Sequence, residues 1–221
     1  MNDAPRAGGE KREVVIPVDS IALDGDLAIP KEPKGIVLFA HGSGSSRLSR
    51  RNRFVADALC RGGLATLLFD LLIEQEEIVD SRTRHLRFDI GLLASRLVAA
   101  TDWITRQPYA EGLNLGYFGA STGAAAALQA ATERPNLVAA VVSRGGRPDL
   151  AAAALPNVRA ATLLIVGGND ATVLELNSRA LDILQVHKKL EVVPGATHLF
   201  EEPGALEEVA RLARDWFLEH L

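Results

Sequence analysis

The chain has 221 residues, 48% of them hydrophobic, and a formal net charge of −4 at pH 7. This length and apolar content suit one globular domain with a sizeable core. The charges show no basic stripe of the kind that nucleic-acid binding requires, the N-terminus lacks the apolar stretch of a secretory signal, and no apolar run is long enough to span a membrane. A soluble, cytoplasmic protein without nucleic-acid or membrane partners is therefore expected.

The N-terminal region predicts a short tail followed by a hairpin. Residues 1–12 are interpreted as a flexible tail, so that residues 13–221 form the single domain. The stretch REVVIPVDSIALDGDLAIP has two short apolar runs joined by turn residues. This pattern is typical of two adjacent antiparallel strands at the edge of a sheet.

Strands and helices alternate from Gly35 onward. Six apolar segments predict strands: GIVLFAH, LATLLFD, LNLGYFG, LVAAVVS, ATLLIVG and KLEVVPG. Because these segments are continuously apolar rather than alternating, we expect a sheet that is covered on both faces, as in mostly parallel α/β folds.

The segments between the strands have the apolar spacing of helices. LSRRNRFVADALCRGG predicts a helix with Ser49 as its N-cap and Gly62 at its end. RHLRFDIGLLASRLVAATDWITRQP predicts one long helix. The predicted buried face of that helix consists of Phe88, Leu92, Leu93 and Trp103. An alanine-rich helix follows Ser121, and the last two predicted helices are TVLELNSRALDILQV and PGALEEVARLARDWFLEHL.

The stretch from Gly119 to Gly123 fits the pattern G-x-S-x-G between a strand and a helix. In this context Ser121 lies on a sharp turn that holds its hydroxyl above the edge of the sheet, and its neighbours must be small because the strand and helix backbones crowd the turn. The helix N-terminus adds partial positive charge at the same place. The alternative interpretation is a glycine-rich turn in which Ser121 only caps the helix.

A serine hydroxyl becomes a useful nucleophile when a histidine base, itself oriented by a carboxylate, lies within hydrogen-bond reach. After this kind of turn the expected chain order is serine, acid, histidine. Asp170 follows a strand in LLIVGGNDATV, and His198 follows the last strand in LEVVPGATHLFEEPG, both at the edge where Ser121 emerges. Other loop carboxylates remain alternative acids: Asp149, Glu201 and Glu202. Three other histidines are interpreted as surface residues: His85, His187 and His220.

The glycine-rich loop HGSGSS follows a buried strand, and its backbone N–H groups can donate to a substrate carbonyl oxygen. The predicted oxyanion donors are the amides of Thr122 and Ser43, with Gly42 as the alternative to Ser43. A phosphate-binding loop is the competing interpretation. It is disfavoured because GSGSSR lacks the third glycine of G-x-G-x-x-G and no G-x-x-x-x-G-K-[ST] occurs.

Taken in order, HGSGSS, GASTG, GGND and PGATHLF resemble the motifs of the α/β-hydrolase fold, and more narrowly its dienelactone-hydrolase-like branch, from about residue 14 to the last residue. The resemblance implies a mostly parallel sheet of eight strands with helices on both faces, no large lid domain, and a triad of Ser121, Asp170 and His198. Dienelactone hydrolases proper carry cysteine at the sharp turn, so serine favours general ester hydrolysis. HGSGSS and SRGGRPD also resemble hydrolase-like domains that are sometimes found beside a phosphoribosyltransferase module.

The substrate is expected to be a small or medium carboxylic ester bound in a shallow site, because no helical insertion is visible above the sheet. Arg144 is a candidate for binding a substrate carboxylate, since guanidinium suits bidentate recognition. The simpler interpretation is that Arg144 and Arg147 pair with Asp149 or face solvent. Ile73, beside Leu72, is a second candidate pocket residue. No metal-ligand spacing is visible, no cofactor is required, and the sequence carries no signal of oligomeric state.

Three other interpretations keep the same scaffold. A thioesterase, an acyltransferase or a peptidase would share the acyl-enzyme chemistry. A non-catalytic relative would keep the pocket as a ligand-binding site without turnover. An engineered variant of such a protein would have the same motifs.

Overall fold

The computed structural model describes residues 9–221, in which eight strands form one sheet. The strands are β1 (Glu10–Val18), β2 (Ile21–Ile29), β3 (Ile36–Ala40), β4 (Ala65–Phe69), β5 (Leu115–Ala120), β6 (Val138–Arg144), β7 (Ala161–Gly167) and β8 (Lys188–Val193). Their order in the sheet is β1-β2-β4-β3-β5-β6-β7-β8. Strand β2 pairs antiparallel with both β1 and β4, and all other pairs are parallel. The predicted eight-stranded, mostly parallel sheet is confirmed.

Within the described residues, six helices cover the two faces of this sheet. They are α1 (Arg50–Arg61), α2 (Glu74–Thr83), α3 (Ile90–Ile104), α4 (Thr122–Glu133), α5 (Ala171–Ile183) and α6 (Ala205–His220). Helices α3, α4 and α5 pack with alternate strand residues such as Leu38 and Tyr117. Helices α1 and α6 pack on the other face with Phe39 and Phe118. This two-sided burial explains why β3, β4 and β5 are buried at every position.

The sheet begins with the hairpin expected from the sequence. Strand β1 starts at Glu10, earlier than the predicted domain boundary at residue 13, because its charged first residues pair through their backbones with the end of β2, as Glu10 does with Ile29. The predicted tail otherwise lies in residues 1–8, outside the described residues. No helix in residues 9–221 is long and apolar enough to cross a membrane.

Two details of the predicted helices are corrected. The long helix predicted from Arg84 is instead a 3₁₀ turn at Leu86–Phe88 followed by α3, whose N-cap Asp89 accepts a hydrogen bond from the Leu92 amide. Phe88 precedes this cap and is 51% exposed, contrary to the predicted burial. Helix α2 was not predicted, because its sequence EQEEIVDSRT has no apolar stripe.

The predicted limits of α1 are confirmed. The Ser49 hydroxyl caps the helix by accepting a hydrogen bond from the Asn52 amide, and Gly62 ends it. Between β6 and β7 the chain makes only two short 3₁₀ turns, Pro148–Ala151 and Leu155–Asn157. The carboxyl edge of the sheet is therefore open at this point, with no lid domain in the described part of the chain.

Candidate active site

Ser121 lies on a strained turn between β5 and α4. Its backbone angles are φ +52° and ψ −119°, a conformation that residues with a side chain rarely adopt. The turn is crowded, because a Cβ atom on Gly123 would lie 2.2 Å from the Ala40 carbonyl oxygen, and one on Gly119 would lie 2.4 Å from the Cα atom of Ala124. The Ser121 hydroxyl makes no capping hydrogen bond to α4. The alternative interpretation of this serine as a helix cap is therefore not supported by the geometry.

Asp170 and His198 meet at the same edge of the sheet. Asp170 follows β7, His198 lies in the loop after β8, and the distance from His198 Nδ1 to Asp170 Oδ2 is 2.6 Å. The Asp170 side chain is only 15% exposed, whereas that of His198 is 40% exposed. This arrangement holds the imidazole by one nitrogen and leaves the other edge of the ring accessible.

Two of the three alternative acids are engaged elsewhere. Asp149 accepts two hydrogen bonds from Arg147, at 2.8 and 2.7 Å. Glu201 pairs with Arg51 at 2.8 Å. The His198 imidazole is therefore oriented by Asp170, the carboxylate that the sequence order favoured.

Ser121 and His198 line one cleft of about 220 Å³. The other residues lining it include Gly42, Ser43, Ser45, Arg51, Arg144 and Leu199. The hydrogen bonds within residues 9–221 include none between Ser121 and His198. Such contacts are often long in unliganded sites and shorten in the substrate complex. Gly145, with φ +51°, leaves room for the imidazole, since a Cβ atom there would lie 3.4 Å from His198 Nδ1.

The HGSGSS loop, which holds the predicted oxyanion donor Ser43, passes close to Ser121. A Cβ atom on Gly42 would lie 3.2 Å from the Ser121 Cβ atom. The Ser43 N–H donates no hydrogen bond to any residue in the described range. The Thr122 N–H is the first of helix α4 and has no acceptor within the helix. Both predicted donors are thus uncommitted within the described residues, and Ser43 stays the predicted loop donor with Gly42 as its alternative.

His41 is a site residue that sequence reasoning missed, apart from noting that it ends a strand. Its Nε2 atom accepts a hydrogen bond from the Leu71 amide at 3.0 Å, so the ring proton is on Nδ1, which donates to the Gly42 carbonyl oxygen at 3.0 Å. Burial lowers the pKa of His41 and keeps the ring neutral. In a trans peptide the N–H points opposite to the C=O. By fixing the Gly42 carbonyl, His41 fixes the direction of the Ser43 N–H.

Arg144 projects from the end of β6 into the same cleft without a carboxylate partner. It is 8% exposed, and its Nε and Nη1 atoms have no hydrogen-bond partner among the described residues. The predicted pairing with Asp149 is made by Arg147 alone. Burial, together with the nearby charge of Arg51, lowers the pKa of Arg144 to about 10. A buried, unpaired guanidinium is rare because its desolvation is uncompensated.

Ile73 does not line the cleft that contains Ser121. It ends the segment before α2 and, with Leu72, borders a separate cavity of about 940 Å³ between β2 and the HGSGSS loop. The unpredicted helix α2 begins at the next residue. The assignment of Ile73 to substrate binding stays a prediction, and its position is at this neighbouring cavity rather than in the Ser121 cleft.

The family of the chain follows from its matches to known proteins. The model of the dienelactone hydrolase family matches residues 23–219. The chain belongs to the dienelactone hydrolase family. A crystal structure of a family member, a dienelactone hydrolase from Anabaena variabilis, is 62% identical, covers 96% of this chain and 99% of its own, and superposes with a TM-score of 0.94.

Solved structures of much lower sequence identity share the fold of this chain. Est1E from Butyrivibrio proteoclasticus, which has also been solved with ferulic acid bound, is 17% identical with a TM-score of 0.77, and the match covers 94% of this chain and 98% of Est1E.

Two proteins from strains of Mycobacterium tuberculosis, each named "Putative phosphoribosyl transferase", are 58% identical over 209 residues. That match covers 95% of this chain but 46% of those relatives, so the chain spans about half their length.

Proposed function

We propose that this member of the dienelactone hydrolase family is a serine hydrolase that cleaves small carboxylic esters through an acyl-enzyme. The observation that carries the proposal is the strained Ser121, which makes no capping hydrogen bond and shares a cleft with a histidine held by Asp170. A backbone conformation of this cost persists where it serves a function. Helix capping does not account for it here.

In the first step, His198 takes the proton of the Ser121 hydroxyl as its oxygen attacks the ester carbonyl carbon. Asp170 holds the ring through Nδ1 and stabilises the imidazolium that forms. The Ser43 and Thr122 amides donate to the developing oxyanion. Each such donor contributes on the order of 3 kcal/mol to transition-state stabilisation. The tetrahedral intermediate collapses, the imidazolium gives its proton to the leaving alkoxide, and an alcohol departs.

In the second step, water replaces the alcohol. His198 removes a proton from the water as its oxygen attacks the acyl carbonyl, and the same amides bind the second oxyanion. Collapse releases the carboxylic acid and returns the proton to the Ser121 oxygen. The half-exposed imidazole suits this step because water reaches it directly.

The size of the cleft supports a small substrate. Its volume of about 220 Å³ lies below the roughly 300–1,000 Å³ of pockets that enclose drug-sized ligands. Between β6 and β7 the chain makes only two short 3₁₀ turns, so no inserted helices form a tunnel for long acyl chains there. Small acyl esters fit this opening better than lipids.

Arg144 supports a substrate that carries a carboxylate in addition to its ester. A charged guanidinium that is 8% exposed and lacks a carboxylate partner is costly unless a ligand compensates it. Arg144 lines the cleft with Ser121, and Arg51 adds a second, partly neutralised cation. A substrate carboxylate placed here would form charge-assisted hydrogen bonds with Arg144 while the ester lies at Ser121.

Two candidate functions on this scaffold are distinguished by the acceptor. A thioesterase and an esterase both transfer the acyl group to water, whereas an acyltransferase gives it to an added alcohol or amine. The name of the M. tuberculosis relatives refers to proteins about twice as long as the matched region. We assign acyl chemistry to this domain because the matched region contains Ser121, Asp170 and His198.

The proposal is tested by hydrolysis of aryl acetates and of the matching aryl hydrogen succinates, which add one carboxylate. We expect Ser121→Ala to abolish turnover of both. Ser45→Ala is the matched control, since it removes a hydroxyl from the same cleft and is expected to retain turnover. Full activity in Ser121→Ala would refute the assignment, and transfer to added alcohols in preference to water would redefine the enzyme as an acyltransferase.

A further inference from the structure

A second group of chemically reactive side chains lies at the opposite end of the sheet from Ser121. His187 immediately precedes β8, while Glu219 and His220 lie at the end of α6. Each of the three offers one ligand atom, and these atoms lie within 4.8 Å of one another. Sequence reasoning found no metal-ligand spacing because these residues lie on elements far apart in the chain.

The two imidazoles are held together by Trp216. The ring centroids of His187 and His220 are 5.0 Å apart, and the Trp216 ring lies 5.0 Å from the first and 4.4 Å from the second. The Trp216 indole is itself fixed, because its Nε1 donates to the Ala161 carbonyl oxygen at 3.2 Å. The Trp216 ring therefore contacts both imidazoles and holds them side by side.

The cluster has unused ligand capacity. The His220 Nε2 atom is buried and has no hydrogen-bond partner within residues 9–221. The neighbouring lysines are engaged elsewhere, since Lys188 donates to the Leu184 carbonyl oxygen and Lys189 pairs with Glu191. Neither competes for the Glu219 carboxylate.

We propose that His187, Glu219 and His220 bind a divalent transition-metal ion, with Zn²⁺ as the best match. Two imidazoles and one carboxylate suit zinc, copper or nickel rather than magnesium or calcium. Ligand atoms about 2.0–2.2 Å from zinc in a tetrahedron lie about 3.4 Å apart. On metal binding, rotations of the side chains at the end of α6 would bring the ligand atoms, now within 4.8 Å of one another, to that spacing, and water would supply the fourth ligand.

This site is separate from the ester-hydrolysis site. Strands β7 and β8 run from the His187 end of the sheet to the end that carries Asp170 and His198. Strand β8 has six residues, and at about 3.3 Å per residue the two sites are roughly 20 Å apart. A metal here would tie α6 to the segment before β8. It would stabilise the fold without entering the reaction.

The test is a Zn²⁺ titration of the untagged chain, followed by calorimetry and by thermal unfolding. We expect one zinc per chain and a melting temperature that rises with zinc concentration. His187→Ala and His220→Ala should each weaken binding by at least about tenfold, the smallest loss typical even of changes beyond the direct ligands. Glu219→Gln should weaken it by a smaller factor.

Two controls make the result decisive. His85→Ala removes an exposed histidine that bonds to Thr83, outside the cluster, and should bind zinc as the wild type does. The titration is repeated in His198→Ala to remove the other histidine–carboxylate pair. Copper quenching of tryptophan fluorescence should be strong in the wild type and lost in His220→Ala, because Trp216 adjoins the cluster. No binding up to millimolar zinc, or binding lost in His198→Ala but kept in His187→Ala and His220→Ala, would overturn the proposal.

Discussion

Replacing Arg144 with methionine should make the protein more stable and less selective. Methionine keeps the length of the side chain but removes the buried charge. Burial lowers the pKa of Arg144 from its ordinary value to about 10, and at 1.36 kcal/mol per unit this corresponds to about 3 kcal/mol of disfavoured charge. The guanidinium is protonated in both states at pH 7, so the folded state alone bears this cost. The free energy of unfolding should rise in Arg144→Met by up to about 3 kcal/mol.

The same change should remove the preference for carboxylated esters. Charge-assisted hydrogen bonds from a buried guanidinium to a carboxylate contribute about 3 kcal/mol, or roughly 100-fold in kcat/KM. We expect Arg144→Met to lose about that factor on aryl hydrogen succinates and to change little on aryl acetates. The assay compares the two kcat/KM values in one enzyme, so that errors in active-enzyme concentration cancel.

Arg147→Met is the matched control. Arg147 lies in the same segment but pairs with Asp149 and does not line the cleft. The Arg147→Met variant should leave the ratio of kcat/KM on aryl hydrogen succinates to kcat/KM on aryl acetates unchanged. Its free energy of unfolding should fall by at most about 1 kcal/mol. The reasoning about Arg144 is refuted if Arg144→Met is less stable than the wild type in urea unfolding and its substrate ratio equals that of the wild type.

Two further changes test how the site is positioned. His41→Phe should lower kcat by up to about 100-fold with little change in KM, because the Ser43 amide loses its fixed direction. His41→Gln should recover part of the rate, because it restores a hydrogen-bond donor and an acceptor. A change in KM with unchanged kcat would contradict this prediction. Gly123→Ala should destabilise the fold by about 1–3 kcal/mol or more and abolish activity, because the new Cβ atom would lie 2.2 Å from the Ala40 carbonyl oxygen. The control is Gly91→Ala in α3, where the new Cβ atom would lie 3.5 Å from the Asp89 carboxylate and meet nothing else. This change should raise the free energy of unfolding in urea by about 0.5–1 kcal/mol. Equal effects of the two changes on stability would contradict the argument from crowding.

The sheet could be predicted because its signal is local. Central strands buried on both faces are continuous apolar runs, and LATLLF or ATLLIVG cannot be read as an exposed element. The motif around Ser121 and the order of Asp170 and His198 likewise follow from chain position, since strands that run parallel end at one edge. The hairpin of β1 and β2 follows from its turn residues.

The rest depends on contacts between distant residues. Helix α2 has no apolar stripe and is anchored by the buried Asp80, which binds Arg87 beyond the end of the helix. Asp89 then separates the exposed Phe88 from α3. Composition does not distinguish Arg144 from Arg147, because only the folded chain determines which of them reaches Asp149. The role of His41 depends on the Leu71 amide, which the loop after β4 supplies.

The most direct test of the central claim is intact-mass analysis after treatment with a fluorophosphonate, which forms a phosphorus–oxygen bond with an activated serine as fluoride leaves. The account predicts one adduct on the wild type and on Ser45→Ala, located at Ser121 by peptide mapping, and none on Ser121→Ala. Hydrolysis of aryl acetate should disappear in the same variant. An unlabelled wild type, or an adduct that persists in Ser121→Ala together with its activity, would contradict the claim that Ser121 is the nucleophile.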